Sequence, residues 1–130
     1  MIFGTGTDIV EVKRISQRLE NGNGFKNLVF SVEEITYCES KANPSENFAA
    51  RFAAKEAFLK ALGTGMYATF ELSKIQIINN SNGSPSIILS EELKELVSVI
   101  TGTKNFKILT SLSHTSKYAT AVVLIEILEK

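Results

Sequence analysis

The chain has 130 residues, 44% of them hydrophobic and 22% charged, with fourteen basic residues balancing fourteen acidic ones. That length fits a single domain, residues 1–130, with a real core, and the zero net charge gives no global electrostatic case for nucleic acid or membrane as a partner. A lone cysteine, Cys38, excludes an internal disulfide framework; with no signal-peptide pattern at the N-terminus and no membrane-length apolar run, the expected compartment is the cytoplasm.

Ile2 to Val10 reads as a buried strand leading into a helix start. Gly4 and Gly6 strip side-chain bulk from it, a mark of close backbone approach. Gly4-Thr5-Gly6 is only a fragment of a dinucleotide fingerprint, and no third glycine follows at the needed spacing. Asp8 is the polar residue of this segment, either a cap for the next helix or a carboxylate at the mouth of a site. Glu11 to Glu20 has helical spacing, with Val12, Ile15 and Leu19 on one side and Lys13, Arg14, Gln17 and Arg18 on the others. Such a basic face is either solvated or receives an acidic partner. After the loop Asn21–Gly24, Phe25 to Phe30 suggests a short helix. Ser31 and Glu34 form a capping-box pattern for a third helix running to about Lys41, with Cys38 as a small apolar filler. Ala42-Asn-Pro-Ser45 breaks that helix.

Phe48 to Gly63 is the helix around which the rest is organised. Phe48, Phe52, Phe58, Leu59 and Leu62 cover one side and Ala50, Ala54, Ala57 and Ala61 much of the other. A helix apolar nearly all round belongs at the centre of a fold. Glu56 and Lys60 lie one turn apart on a stripe flanked by Ala49 and Ala53, small neighbours that leave room for something to lie against the helix; Arg51 and Lys55 share another line. The stripe reads either as intrahelical ion pairing, worth a few tenths of a kcal/mol, or as a metal-binding carboxylate beside a phosphate-neutralising ammonium. Gly63 closes the helix, where a left-handed residue costs glycine least.

A loop continues through Phe70, and Leu72 to Asn79 alternates as a strand. Asn80–Ser84 is a hairpin signal, Pro85 opens the return strand to Leu89, and Ser90 caps a helix ended by Gly102. Phe106–Ser113 and Tyr118–Leu128 are β-rich runs forming an antiparallel hairpin around His114–Lys117. Without strict βαβ alternation the class is α+β, a small antiparallel sheet packed on a long central helix.

Four places carry chemistry: Asp8, the Glu56–Lys60 stripe, Gly63-Thr64-Gly65, and Ser113-His114-Thr115. Two carboxylates from separate elements suit a hard cation such as Mg²⁺, which takes its remaining oxygens from water and substrate phosphates. A lysine, a histidine and hydroxyls suit a polyphosphate. Ser113 and His114 do not make a hydrolase dyad, because neighbouring strand residues face opposite ways. His114 alone reads more readily as structural than as catalytic.

Gly4-Thr-Gly-Thr-Asp8-Ile9, Arg51-Phe-Ala-Ala-Lys-Glu56-Ala-Phe-Leu-Lys60-Ala-Leu-Gly-Thr-Gly65, Asn82-Gly-Ser-Pro85 and Ser111-Leu-Ser-His114-Thr115 occur in order along nearly the whole chain. This series resembles the short, single-domain 4′-phosphopantetheinyl transferases, the holo-[acyl-carrier-protein] synthase family. The resemblance implies a homotrimer with active sites between protomers, and transfer of 4′-phosphopantetheine from coenzyme A to a serine of apo acyl carrier protein. Adenosine 3′,5′-bisphosphate would be left.

By matched position, Asp8 and Glu56 would bind Mg²⁺ and Lys60 would neutralise phosphate charge. Ser113, His114 and Thr115 would touch the nucleotide phosphates. Arg51, Gly63 and the turn with Asn82, Gly83 and Pro85 would border the coenzyme. Lys13, Arg14 and Arg18 would meet the acidic helix of the carrier protein. Ser84 stands where the family's turn often carries a lysine. Phosphoryl transfer needs positioning and charge stabilisation more than a reactive side chain, and Glu56 or a metal-bound water would take the serine proton. Two other readings compete: a transferase serving polyketide or peptide synthases, whose broad-acting relatives are about twice this length, and a non-catalytic coenzyme A-binding module needing no metal.

Overall fold

A computed structural model describes residues 1–63 and 70–128. The elements in order are β1 (Ile2–Glu11), α1 (Val12–Glu20), α2 (Phe25–Val29), α3 (Val32–Glu39), α4 (Pro44–Leu62), β2 (Ile75–Asn79), β3 (Pro85–Leu89), α5 (Glu91–Thr101), β4 (Phe106–His114) and β5 (Tyr118–Ile127). β1, β5 and β4 form one antiparallel sheet in that order, and β2 and β3 pair separately as a hairpin.

The three-stranded sheet packs one face on α4. In its register Asp8 lies opposite Ala121, and Val10 and His114 flank Ala119 on either side. Because side chains alternate along a strand, Gly4, Gly6, Asp8, Val10, Ala119, Ala121, Val123, Ile125, Leu112 and His114 share the α4-facing side. The glycines are what let helix and strand close up. A Cβ on Gly4 would collide with the Ala61 carbonyl oxygen, and one on Gly6 with that of Ala57. The small residues of α4 therefore receive the protein's own β1 backbone. Ala49 and Ala53, which the sequence reads as leaving room beside Glu56 and Lys60, are fully buried in the fold.

α4 begins earlier than its apolar pattern suggests. The break expected over Ala42–Ser45 does separate α3 from α4, and its Pro44 also starts α4, in the first turn where the missing N–H costs nothing. Gly63 ends α4 in the left-handed conformation, φ 71°. The Ser31–Glu34 capping box forms as expected. β1 runs on through Glu11, and that residue, not Asp8, stands at the N-cap of α1, without a side-chain cap bond; Asp8 is thus free of a capping role. The strand expected over Leu72–Asn79 starts only at Ile75, after a 3₁₀ turn at Leu72–Lys74.

The other face of the sheet stays largely uncovered. Ile9, Tyr118 and Leu109 are 64%, 49% and 40% exposed, and Val122 and Leu124 between them are half-buried. No described helix is long and apolar enough to cross a membrane.

Candidate active site

Two charged clusters grow from α4, and they differ in kind. The first is internal. Lys55 is fully buried and its ammonium donates to Glu34 Oε1 at 2.8 Å and to the carbonyls of Leu72 and Ile75. Glu34 is equally buried; its Oε1 closes the capping box on the Ser31 N–H and its Oε2 accepts from the Ile77 N–H at 3.0 Å. Every donor of Lys55 is satisfied, as a buried charge requires. Burial lowers the Lys55 pKa to about 8, against the opposing pull of Glu34. The pair ties α3, α4 and β2 into one block. Sequence reading missed it, although a lysine in an alanine-rich, all-round apolar helix was the available signal.

The second cluster faces outward. Lys60 Nζ donates to Asp8 Oδ1 and to the Thr7 carbonyl, both at 3.0 Å, so the lysine reaches across to β1 and makes no intrahelical pair with Glu56. Glu56, one turn back on α4, is half-buried. Its carboxyl pKa is raised, first by burial and next by the negative charge of Asp8, with Lys60 and Arg18 opposing. Asp8, Glu56 and Lys60 therefore form one electrostatic unit, assembled from residues 48 and 52 positions apart along the chain. A carboxylate whose ionisation is disfavoured by a second carboxylate nearby is an arrangement a divalent cation relieves. The described residues contain no group of three or more metal-type ligands. Carboxylate oxygens are the donor type that a hard ion such as Mg²⁺ takes, with the rest of its shell from water and substrate.

A shallow concavity of about 470 Å³ opens beside this unit, lined by Asp8 and Lys60 together with Thr7, Ile9, Ser111 and Ser113. Ser113 reaches it from the exposed side of the sheet. His114 points the other way, to the α4 side, where its Nδ1 lies 2.9 Å from Glu46 Oε1 in the first turn of α4. Fourteen residues separate Glu46 from Lys60 on that helix, about 21 Å at the α-helical rise. Within one chain, then, His114 is not brought to Lys60. Thr115 closes the hairpin: its hydroxyl accepts the N–H groups of Lys117 and Tyr118.

Arg51 is brought to the β2–β3 turn, but indirectly and from within the core. Its Nη2 donates to Asn79 Oδ1 at 2.7 Å, and Asn79 Nδ2 donates to the Gly83 carbonyl at 3.0 Å. Its guanidinium lies 4.2 Å from the centre of the Tyr37 ring, which the Lys41 ammonium also approaches, at 4.5 Å. Arg51 Nε is buried and has no partner among the described residues. Asn82 Oδ1 is taken by the Ser84 N–H and hydroxyl, so Ser84 folds the turn where a lysine would extend from it. Pro85 opens β3, and Gly63 is exposed at the end of α4. Thr64 and Gly65 lie outside the described residues.

Lys13, Arg14 and Arg18 are exposed on α1. The Arg18 guanidinium sits 4.3 Å from the Phe25 ring centre and close enough to Glu56 to lower its pKa. Arg18, on the basic face of α1, thus stands near Glu56.

The model of the 4′-phosphopantetheinyl transferase superfamily matches residues 4–123, and the chain belongs to that superfamily. The holo-[acyl-carrier-protein] synthase of Cytophaga hutchinsonii is 48% identical over 125 residues, covering 95% of this chain and 97% of the relative. Among solved structures, the holo-[acyl-carrier-protein] synthase of Neisseria meningitidis superposes with a TM-score of 0.85 at 32% identity, over 97% of this chain and 99% of the other. The Helicobacter pylori holo-[acyl-carrier-protein] synthase, solved in complex with coenzyme A, gives a TM-score of 0.79 at 31% identity, over 94% and 99%.

Proposed function

We propose that this chain, as a single domain acting in the cytoplasm, transfers 4′-phosphopantetheine from coenzyme A to a serine hydroxyl of an apo acyl carrier protein. The serine oxygen bonds to the phosphorus that carries pantetheine, the bond to the neighbouring bridging oxygen breaks, and adenosine 3′,5′-bisphosphate leaves. The observation that carries this reading is the Asp8–Glu56–Lys60 unit: two mutually repelling carboxylates with an ammonium beside them, open to solvent, in a chain of this family.

Asp8 and Glu56 would hold Mg²⁺, which when bound supplies charge neutralisation at the coenzyme A diphosphate. Lys60, half-exposed and anchored on β1, places a second positive charge at the phosphates. Glu56 is one candidate to take up the serine proton; its raised pKa belongs to the metal-free site, since a cation bound to the carboxylate lowers it. Lys13, Arg14 and Arg18 offer a basic face beside the site to an acidic carrier protein. Arg51, Gly63, Asn82, Gly83 and Pro85 border the coenzyme, and Ser113, His114 and Thr115 its phosphates.

The working unit in this reading is a homotrimer. Two observations support that: the uncovered apolar sheet face around Ile9, Leu109 and Tyr118, and the distance along α4 between the His114 corner and Lys60. A second copy packed on that face would bring one protomer's corner to its neighbour's carboxylates.

The deciding experiment incubates the protein with coenzyme A, Mg²⁺ and apo acyl carrier protein, and follows the carrier by intact mass. One phosphopantetheine is gained, and a chelator in the reaction prevents the gain. An unmodified carrier at saturating Mg²⁺ would overturn the assignment, and modification unaffected by chelator would overturn the metal's part in it.

A further inference from the structure

Glu46 has no role in anything above, and neither its sequence position nor the motifs around it mark it out. Its carboxylate nevertheless makes a contact between two elements that otherwise meet through apolar packing: Oε1 lies 2.9 Å from His114 Nδ1. The glutamate side chain is 18% exposed and the histidine 38%, so the carboxylate sits inside and the ring's outer edge meets solvent. An ionised carboxylate can only accept a hydrogen bond, so the proton in this contact belongs to Nδ1. That bond holds the ring's rotation and its tautomer, and turns Nε2 outward, where it has no hydrogen-bond partner among the described residues.

We propose that Glu46 is a positioning residue for the transferase, holding His114 so that Nε2 is presented to the phosphates of the coenzyme. The inference rests on the reading that His114 contacts those phosphates. Glu46 suits the task because it stands in the first turn of α4, where the helix dipole favours a negative charge. It also suits it because α4 is the most deeply packed element of the fold. A ligand edge that must meet phosphate oxygens within hydrogen-bond range gains most from a support of that rigidity. Glu46 itself touches neither substrate nor metal.

The test uses the full chain and exploits a fact of the sequence: His114 is its only histidine. Long-range ¹⁵N NMR of the imidazole at a pH where it is neutral reports the tautomer without interference from any other ring. Wild type shows the proton on Nδ1; Glu46→Ala moves it towards Nε2, the form preferred in water, and Glu46→Gln, whose amide oxygen still accepts, keeps it on Nδ1. Calorimetry with adenosine 3′,5′-bisphosphate then gives affinities. Glu46→Ala weakens binding about tenfold, the size of one lost charged contact, Glu46→Gln restores most of it, and Glu46→Ala has no added effect once His114 is alanine. If His114→Ala binds the nucleotide as wild type does, the phosphate-contact reading is wrong and the positioning role goes with it. If His114→Ala binds weakly while Glu46→Ala binds normally, or the two losses add, or the tautomer ignores Glu46, only the positioning inference is overturned.

Discussion

Lys55 and Lys60 stand five residues apart on the same helix and have opposite fates. Lys55 is sealed inside, with three acceptors for its three N–H groups, and its partner Glu34 is sealed with it. Lys60 leans out of the same helix onto Asp8 and remains about half exposed. One charge is used up by the fold; the other stays accessible to solvent. Because these two lysines fall within one short motif, the contrast shows that a motif can join a buried charge to an accessible one without the sequence saying which is which.

The contrast is broken most directly at Glu56. Glu56→Gln keeps the side chain's size and removes one of the two carboxylates, so turnover falls on the order of 10³-fold or more while the fold persists. Carrier modification measured by mass, alongside circular dichroism, checks both halves; wild-type rates at saturating Mg²⁺ would sink the prediction. The complementary substitutions sharpen the contrast. Lys55→Ala strands Glu34 in the core and costs about 3–5 kcal/mol of stability. Lys60→Ala removes a partly exposed pair worth no more than about 1 kcal/mol, so urea midpoints separate the two lysines even though both variants lose activity. Equal midpoint shifts would mean that the clusters do not differ as their burial implies.

A smaller effect follows from pH. In the unfolded chain Lys55 titrates at its ordinary 10.5, and in the fold at about 8. Below pH 8 both states hold the proton and the burial penalty is fully present. Between 8 and 10.5 the unfolded state binds more protons than the folded one, so stability rises with pH through that window. The measurable quantity is the change in urea midpoint between pH 7.5 and 10, taken relative to Lys55→Met, which lacks the group. A relative midpoint that falls over this range would show that Glu34 outweighs burial.

How far the sequence could be read divides along the same line. Elements set by local chemistry were legible: the Ser31–Glu34 capping box, the Gly63 end of α4, the Asn80–Ser84 turn and the strand alternation all came out of neighbouring residues. The close approach at Gly4 and Gly6 was legible as a type of contact, though its partner was not. The small residues flanking Glu56 and Lys60 were read as space for a ligand because nothing local says that they lie buried in the packed fold. Lys55–Glu34 and Glu46–His114 stayed hidden for the same reason, being joined only by the tertiary fold across 21 and 68 positions. Lys60 and His114, which the proposed reading joins in one site, stand against opposite ends of α4, which a motif list cannot reveal because order along the chain carries no distance.

The smallest predicted effect concerns the stability cost of the site itself. Burial and the charge of Asp8 both disfavour ionised Glu56, which raises its folded pKa above the ordinary 4.5. A carboxyl so shifted binds more protons folded than unfolded in the window just above 4.5, so stability is lost as pH rises through that window and the loss persists at neutrality. Glu56→Gln removes the ionisation altogether. At pH 7 the variant therefore melts slightly higher than wild type, and the gap closes as the pH falls below 4.5, where wild-type Glu56 is protonated in both states. Mg²⁺ with coenzyme A offsets the same repulsion, so it raises the melting temperature of wild type more than that of the variant. A variant less stable than wild type at pH 7 would place Glu56 with Lys55, as a charge the fold depends on.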